Sequence, residues 1–524
     1  MKNKYILMSV VAAGLTLTAC SDDFLEVTSP TDTFIEEYYN NKAALEESLV
    51  AAYAPLHWFD YGTTYQYCSP QFVADLMGDD LYTNGGSNQD QPFLQLMFNY
   101  SNTPTVCASG LWSDCYSGVK RSNDVIKYIG WNEGKNVLSA AEEADMLAQA
   151  RLLRAFYYSI LWKFYGNIPF YLENLTASNG YAAPQLSATE AYGEIIAEIE
   201  DLIASGSLKD DWSASEKGRV TKPLAYMLFA DMVMIQADNS RYSKALDYMK
   251  ELITGGKFGL MDDFDDIWTE AGEWCKESIF EVNYFDDNSP RGWSNHLAAG
   301  GSVAPRLWGP RGFACSSSDP YYTYEGGWGF GSIPAHTVAS FEDGDLRLHA
   351  SIIDLEANGT VDPGDCGWQY TGYHGGKYSG KRGDNADQKG DADMNFNNNW
   401  RVYRFAETLL NASELSLAAG NQGDADKYLN MVRKRAGLAE KSGVNIDDIL
   451  DERRHEFITE GKRYFDLVRT GKAASVLTPA NDKGGYRTKA WTSAYRYWPI
   501  PQDNIDASLI TEFPLEQNEG YRSL

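Results

Sequence analysis

Two stretches of the chain repeat one helix–turn–helix pattern, and this repeat constrains the fold more than any other feature. Each stretch places a leucine and an alanine in its first helix and an alanine and a tyrosine in its second: Leu228, Ala230, Ala245 and Tyr248 in residues 222–253, and Leu410, Ala412, Ala425 and Tyr428 in residues 403–437. Alanine at a helix crossing lets two helices approach closely, as in tetratricopeptide-type repeats. A coincidence between two alanine-containing helices is the alternative.

Local capping signals also indicate a helical scaffold. Ser139 followed by Glu142 forms a capping box, and apolar residues then recur every three or four positions up to Gly166. A second capping box, Ser187 with Glu190, begins another amphipathic helix. Both helices carry an apolar stripe that other elements must cover, so the sequence predicts a mainly α fold with tetratricopeptide-like helical units.

Two regions of the chain have a different composition. Residues 286–402 contain 19 of the 46 glycines and five tryptophans, and residues 57–100 are similarly rich in aromatic and turn-forming residues. This composition predicts long loops and short strands. Because no low-complexity linker marks a boundary, we predict one composite domain over about 20–524, with helical units at about 40–285 and 400–475 and a loop-rich aromatic insertion at about 286–402.

The amino-terminal residues have the layout of a secretory signal. Two lysines precede an apolar run from Ile6 to Leu17, which is too short to remain as a membrane-spanning helix. Leu17, Thr18 and Ala19 are similar to the lipobox that precedes the acylated cysteine of bacterial lipoproteins. We predict that residues 1–19 are a signal peptide and that Cys20 carries a lipid anchor in the membrane, the alternative being a soluble secreted protein.

The charge balance argues against a nucleic-acid partner. The chain has 45 Lys and Arg residues against 73 Asp and Glu residues, a formal net charge of −28. Phosphate binding needs a concentrated basic surface, which this composition does not favour. The six cysteines after Cys20 match no zinc or redox spacing, so we expect free thiols, with a Cys107–Cys115 pair as the alternative.

The sequence offers no support for an enzyme. His455 and Glu456 begin an HExxH-like stretch, but residue 459 is Thr, so the second zinc-binding histidine is missing. No GxSxG, P-loop or GxGxxG motif occurs. Carboxylate pairs of the kind that glycosidases use arise by chance among so many acidic residues. We therefore expect a protein that is not an enzyme.

Residues 354–365 have the spacing of a calcium loop. Asp354, Glu356, Asn358 and Asp365 fall at positions 1, 3, 5 and 12 of an EF-hand. The twelfth position is Asp, however, and the Pro and Gly residues beside it do not continue as an exit helix. A solvated acidic turn is the favoured interpretation, calcium is the weaker alternative, and no other cofactor is predicted.

Aromatic residues in the two irregular regions give the strongest functional signal. Sugars present apolar C–H faces ringed by hydroxyl groups, so a carbohydrate site combines flat aromatic rings with Asp, Asn, Gln or Arg. Asp60, Arg306 and Arg311 supply such polar groups here. The glycan-binding candidates are Trp58, Tyr61, Tyr65, Trp293, Trp308 and Trp328. Core packing is the alternative for each single tryptophan, and Trp58 and Trp328 are the first choices as platforms.

Many stretches, in order along nearly the whole chain, together resemble the SusD/RagB family of surface lipoproteins. They lie at residues 19–27, 111–126, 151–170, 218–235, 277–284, 403–415, 428–438, 449–471, 497–506 and 513–521. The resemblance implies tetratricopeptide-like units that support a variable, loop-rich face. In the stretch 449–471 we expect a network of ion pairs among Glu452, Arg453, Glu456, Arg463, Asp466 and Arg469.

The resemblance also implies a function. Such proteins are lipid-anchored, exposed on the outer membrane, and act as lids that bind glycan and deliver it to a SusC-like TonB-dependent transporter. We therefore predict a glycan-binding lipoprotein that is not an enzyme. A peptide- or glycoprotein-binding lid of the same architecture is the alternative, and a purely structural scaffold for the transporter is a third hypothesis.

Overall fold

The structure is a computed structural model that describes residues 35–522 of the chain. The predicted signal peptide and the predicted anchor at Cys20 lie outside the described residues. Within this range no helix combines the length and the apolar character needed to cross a membrane.

Helices dominate the described part of the chain, which confirms the predicted fold class. In chain order they are α1 (Ile35–Tyr38), α2 (Lys42–Tyr53), α3 (Pro70–Met77), α4 (Pro92–Phe98), α5 (Ser109–Gly130), α6 (Ala140–Tyr165), α7 (Ala188–Ser205), α8 (Lys222–Gln236), α9 (Tyr242–Thr254), α10 (Ala304–Trp308), α11 (Ala335–Val338), α12 (Leu348–Ser351), α13 (Leu355–Asn358), α14 (Phe405–Ala418), α15 (Gln422–Arg435), α16 (Ile446–Phe457), α17 (Arg463–Arg469), α18 (Ala473–Val476) and α19 (Gln502–Ser508).

The long helices pack one after another into a layered array. Helix α5 packs on α6, α6 on α7, α7 on α8 and α8 on α9. The array then continues from α9 directly to α14, which packs on α15 and α16. Residues 255–404 therefore leave the array after α9 and return to it at α14. The hairpins α8–α9 and α14–α15 coincide with the two predicted repeats and are neighbours in space.

The predicted capping signals are present at the ends of α6 and α7. Ser139 and Glu142 exchange the two hydrogen bonds of a capping box, as do Ser187 and Glu190. Helix α6 ends directly before its C-cap residue Gly166, whose φ of +68° suits glycine. A Cβ atom there would lie 2.6 Å from the ring of Tyr497, so the turn also needs the missing side chain.

The strands are short and lie largely in the irregular regions. They are β1 (Tyr82–Asn84), β2 (Ile168–Pro169), β3 (Gln185–Leu186), β4 (Ser278–Val282), β5 (Phe313–Cys315), β6 (Phe330–Ser332), β7 (Ile352–Asp354), β8 (Gly359–Val361), β9 (Tyr373–Gly375) and β10 (Trp400–Arg404). One antiparallel sheet has the order β1-β6-β9-β7, with Asn84 opposite Phe330 and Ser332 opposite His374. This sheet joins the two regions that are far apart in sequence.

Buried ion pairs connect residues 255–404 to the helical array. The carboxylate of Glu456, on α16, has no solvent exposure and accepts hydrogen bonds from Arg404 (3.0 Å), Arg435 (2.5 Å) and Arg347 (3.2 Å). Glu452 lies one turn earlier and pairs with the same Arg347 at 2.7 Å. Since Arg347 and Arg404 precede α14, the network ties the inserted residues to the helices.

The other members of the expected network also form ion pairs. Arg453 and Arg469 both pair with Asp466, at 2.8 Å and 2.7 Å, and Arg463 pairs with Asp79 at 2.8 Å. The expected network is therefore present in the structure. It extends further than the helical hairpin, because Asp79 belongs to the first irregular region and Arg347 to the second.

The cysteines between residues 35 and 522 are free thiols. Cys68, Cys107 and Cys115 are buried, and burial raises the pKa of Cys107 to about 12. The alternative of a Cys107–Cys115 disulfide is thus not formed in this structure.

Candidate functional site

The loop around Tyr65 is tied to the amino-terminal half of α5. Thr63 donates from its backbone N–H (3.0 Å) and its hydroxyl group (2.6 Å) to one oxygen of Asp114. On the other side of Tyr65, the side chain of the next residue, Gln66, accepts a hydrogen bond from the Gly110 N–H at 3.0 Å. Tyr65 itself has a φ of +58° and is 62% exposed. A bulky residue in the left-handed region is rare, so the fixed loop holds this ring outwards.

A buried ion pair joins this loop to the second irregular region. The carboxylate of Asp60 accepts from both terminal nitrogens of Arg291, at 2.7 Å and 2.9 Å, and both side chains are at most 2% exposed. The same carboxylate accepts from the Ser302 hydroxyl (3.0 Å) and the Val303 N–H (2.7 Å). Such bidentate contacts fix geometry as well as charge. Because Tyr61 directly follows Asp60, the ion pair also holds the segment after Arg291 beside Tyr61.

The result is one continuous group of rings, which we call the aromatic surface: Tyr61, Tyr65, Tyr67, Trp293 and Trp328. The ring of Tyr61 is central, with its centroid 6.0 Å from Tyr65, 4.9 Å from Tyr67 and 5.4 Å from Trp293. Trp328 lies 5.9 Å from Trp293 with the two ring planes 30° apart, and 5.5 Å from Tyr67. Four of the six predicted candidates thus come together.

The rings of the aromatic surface differ in exposure, and a buried histidine supports one of them. Trp293 is 38% exposed, whereas Tyr67 is buried. The buried ring of His296 lies 4.5 Å from that of Tyr65, and burial and the Arg291 charge lower the pKa of this histidine. His296 therefore acts as a neutral support. It was not among the predicted residues, and its only sequence signal is its position three residues after Trp293.

Polar groups surround the two tryptophans. The backbone N–H of Trp293 donates to the Asp391 carboxylate at 2.8 Å, and the backbone N–H of Trp328 donates to the carbonyl oxygen of Arg306 at 2.8 Å. The Arg306 guanidinium group pairs with Asp393 at 2.7 Å and remains partly exposed. Carboxylate and guanidinium groups beside exposed rings are suited to sugar hydroxyl groups, which both donate and accept hydrogen bonds.

Trp58 and Trp308 do not belong to the aromatic surface, which corrects two of the predicted positions. Trp58 is 5% exposed, donates to the Leu297 carbonyl oxygen at 3.1 Å, and has the Arg121 guanidinium group 4.8 Å above its ring. Trp308 is 8% exposed and packs against Phe72. Both rings are covered by protein, so neither presents a face to a ligand in this structure. Trp58 instead supports the loop from inside.

The carboxylates of residues 354–365 do not converge on one site, so the weaker alternative of a calcium loop has no support in the structure. Asp354 caps the short helix α13 by accepting from the Ala357 N–H at 3.0 Å. Asp365, the twelfth position, pairs with Arg311 at 2.7 Å. Across residues 35–522 no group of three or more His, Cys, Asp or Glu side chains is arranged to hold a metal ion. Asp354 and Asp365 therefore serve separate local contacts.

Comparison with known families assigns most of the chain. A profile described as "SusD family" matches residues 276–521, and one described as "Starch-binding associating with outer membrane" matches residues 23–232. A SusD-like protein of Bacteroides ovatus is 25% identical over 518 residues, which is 94% of this chain and 87% of that protein.

Solved structures show the same relationship. Surface glycan-binding protein A from Bacteroides thetaiotaomicron, in complex with laminarihexaose, is 41% identical and has a TM-score of 0.83, with 91% of this chain and 100% of that chain covered. A laminarin-binding SusD-like protein is 27% identical with a TM-score of 0.80, over 92% of this chain and 100% of that chain. The profile matches and the 41% identity over the aligned length show that this chain belongs to the SusD family.

Proposed function

We propose that this protein is a cell-surface lipoprotein that binds a neutral oligo- or polysaccharide at its aromatic surface and delivers it to a SusC-like TonB-dependent outer-membrane transporter. The observation that carries the proposal is the aromatic surface itself, in which Tyr61, Tyr65, Trp293 and Trp328 form one array with exposed rings at its edge. The family description as outer-membrane associated and the Cys20 motif support the location.

Binding would rest on stacking and on hydrogen bonds together. The C–H faces of sugar rings pack against Tyr65 and Trp293, which are the most exposed members of the aromatic surface. Asp391 and Asp393 lie beside the tryptophans and accept hydrogen bonds from sugar hydroxyl groups. Because the chain is strongly acidic, a neutral glycan is favoured over an anionic one.

The relatives suggest a glucan as the first ligand to test. One of them was solved with laminarihexaose and another is described as laminarin-binding. Isothermal titration calorimetry of the purified protein should compare laminarihexaose with maltohexaose and cellohexaose, which contain the same sugar in other linkages. A panel of peptides tests the alternative of a peptide- or glycoprotein-binding lid.

Alanine substitutions of two tryptophans of the aromatic surface test the proposal. Trp293→Ala and Trp328→Ala should each weaken binding of the preferred hexasaccharide by about 1 kcal/mol or more, which is roughly fivefold in Kd. Tyr38→Ala is the matched control, because Tyr38 is 46% exposed and lies outside the aromatic surface. Unchanged affinity in both tryptophan variants, or tight binding of peptides with no binding of any glycan, would refute the proposal.

A further inference from the structure

A cavity that is distinct from the aromatic surface lies against α5. Its volume is about 500 Å³, within the range of small-molecule sites. Its wall includes residues of α5, of the segment 169–183 and of the segment 504–515. No part of the aromatic surface described above lines it.

Three tyrosines line this cavity. The rings of Tyr116 and Tyr171 are nearly parallel, with planes 15° apart and centroids 6.0 Å apart. Tyr181 is 66% exposed and has a φ of +53°. Among the large exposed apolar side chains of residues 35–522, only Tyr65 and Tyr181 combine exposure with this left-handed backbone. The cavity thus repeats a feature of the aromatic surface, an outward tyrosine on a constrained loop.

The polar groups of the cavity are uncharged or neutralised. Lys120 is its one ionisable side chain other than the tyrosines, and it pairs with Asp124 at 2.8 Å. Asn174 donates to the same Asp124 at 2.6 Å. Ser113 and Asn504 also line the cavity, and their hydroxyl and amide groups can donate and accept hydrogen bonds. Aromatic rings with hydroxyl and amide groups, and no free charge, suit a neutral saccharide better than an ionic ligand.

The two sites share one helix. Gly110 and Asp114 of α5 contact the loop of the aromatic surface, whereas Ser113, Tyr116 and Lys120 line the cavity. At about 100° per residue, these two faces of α5 are roughly a third of a turn apart. The cavity and the loop that carries Tyr65 therefore lie on neighbouring faces of the same helix.

We propose that the cavity is a second saccharide subsite, which binds neutral sugar units of a glycan too long to be held by the aromatic surface alone. This inference rests on the proposed function. A long chain that occupies both sites gains affinity through the second contact, since its binding is intramolecular once the first site is filled. Short oligosaccharides held at the aromatic surface do not gain in this way.

The test uses the full mature protein with two variants of the cavity. Tyr181→Ala removes the exposed ring, and Ala183→Trp fills the cavity, which the buried Ala183 lines. Retention in gels that contain laminarin or another neutral polysaccharide should fall about three- to tenfold in both variants. Affinity for the preferred hexasaccharide, measured by calorimetry, should stay within twofold of wild type, and Tyr38→Ala is the control.

The outcomes separate the two proposals. If polysaccharide retention by both cavity variants stays within twofold of wild type while Trp293→Ala loses affinity, the subsite is refuted and the proposed function stands. If neither Trp293→Ala nor Trp328→Ala weakens the binding of any glycan, the proposed function fails, and the subsite fails with it. If Ala183→Trp does not fold, Tyr181→Ala decides alone, because its side chain is exposed. Loss of a protein partner with unchanged glycan retention would also overturn the saccharide assignment.

Discussion

Replacement of Asp60 by asparagine tests whether the buried ion pair organises the aromatic surface. The asparagine keeps the shape of the side chain, but it removes the negative charge and one acceptor. If its amide nitrogen points towards the Arg291 atom now 2.7 Å away, the other three hydrogen bonds of Asp60 can remain. The losses are then the negative charge opposite Arg291, which is 1% exposed, and the hydrogen bond from this Arg291 nitrogen, which would face another N–H donor.

The structure sets the size of the expected effect. Breaking a buried pair by removing one partner typically costs about 3–5 kcal/mol, because a charge stays buried without compensation. Arg291 also donates to the carbonyl oxygens of His296 (2.8 Å), Gly301 (2.5 Å) and Tyr61 (3.3 Å), and these dipoles offset part of the loss. We therefore expect Asp60→Asn to lower the free energy of unfolding by about 3 kcal/mol, which a protein of ordinary stability survives.

Binding should weaken in the same variant even though no ring is changed. The loops that carry Tyr61 and Trp293 would be less ordered before binding, so the ligand must order them, and we expect a loss of roughly fivefold in hexasaccharide affinity. Urea denaturation and calorimetry measure the two effects. Asp201→Asn is the control, because Asp201 is 68% exposed in its pair with Arg151 and should contribute less than about 1 kcal/mol. If Asp60→Asn behaves like this control in both assays, the reasoning is wrong.

Two further substitutions test the support of the site and the attachment of the insertion. Burial raises the pKa of Asp114 to about 7, above its unfolded value near 4, so the folded state binds the extra proton and its stability falls as pH rises between these values. Asp114→Asn should therefore gain stability relative to wild type by roughly 3 kcal/mol from pH 5 to pH 8 in urea denaturation, and a difference that does not depend on pH would contradict this. Glu456→Gln should lower the free energy of unfolding by about 3–5 kcal/mol, since three arginines share that carboxylate; a shift below about 1 kcal/mol in the same assay would show that the network does not stabilise the fold.

The helical part of the fold could be predicted because its signals are local. A capping box such as Ser139 with Glu142 lies within one helical turn, and the apolar residues that recur every three or four positions follow it directly in the sequence. The repeated hairpins could be matched for the same reason. The direct contact between α9 and α14 could not, because it depends on how the inserted residues leave and rejoin the array.

The site could be predicted in composition but only in part in position. Tyr61 and Trp293 were singled out because aromatic residues in glycine-rich loops favour binding, and the structure brings them within 5.4 Å. The same signal singled out Trp58, whose burial depends on Arg121 and Leu297, residues far away in sequence. The residues next to a tryptophan in the sequence do not indicate which distant side chain will cover its ring.

The structure divides its ion pairs between those that fix the fold and those that can change with the ligand. The Asp60–Arg291 pair is fully buried, so the removal of one partner alone is costly. The Arg306–Asp393 and Arg311–Asp365 pairs beside Trp328 are partly exposed, with side-chain exposures between 24% and 52%. Exposed pairs contribute little to stability. Substitutions at the rim of the aromatic surface can therefore alter which sugar is bound while the buried pair and the helical array keep the rings in place.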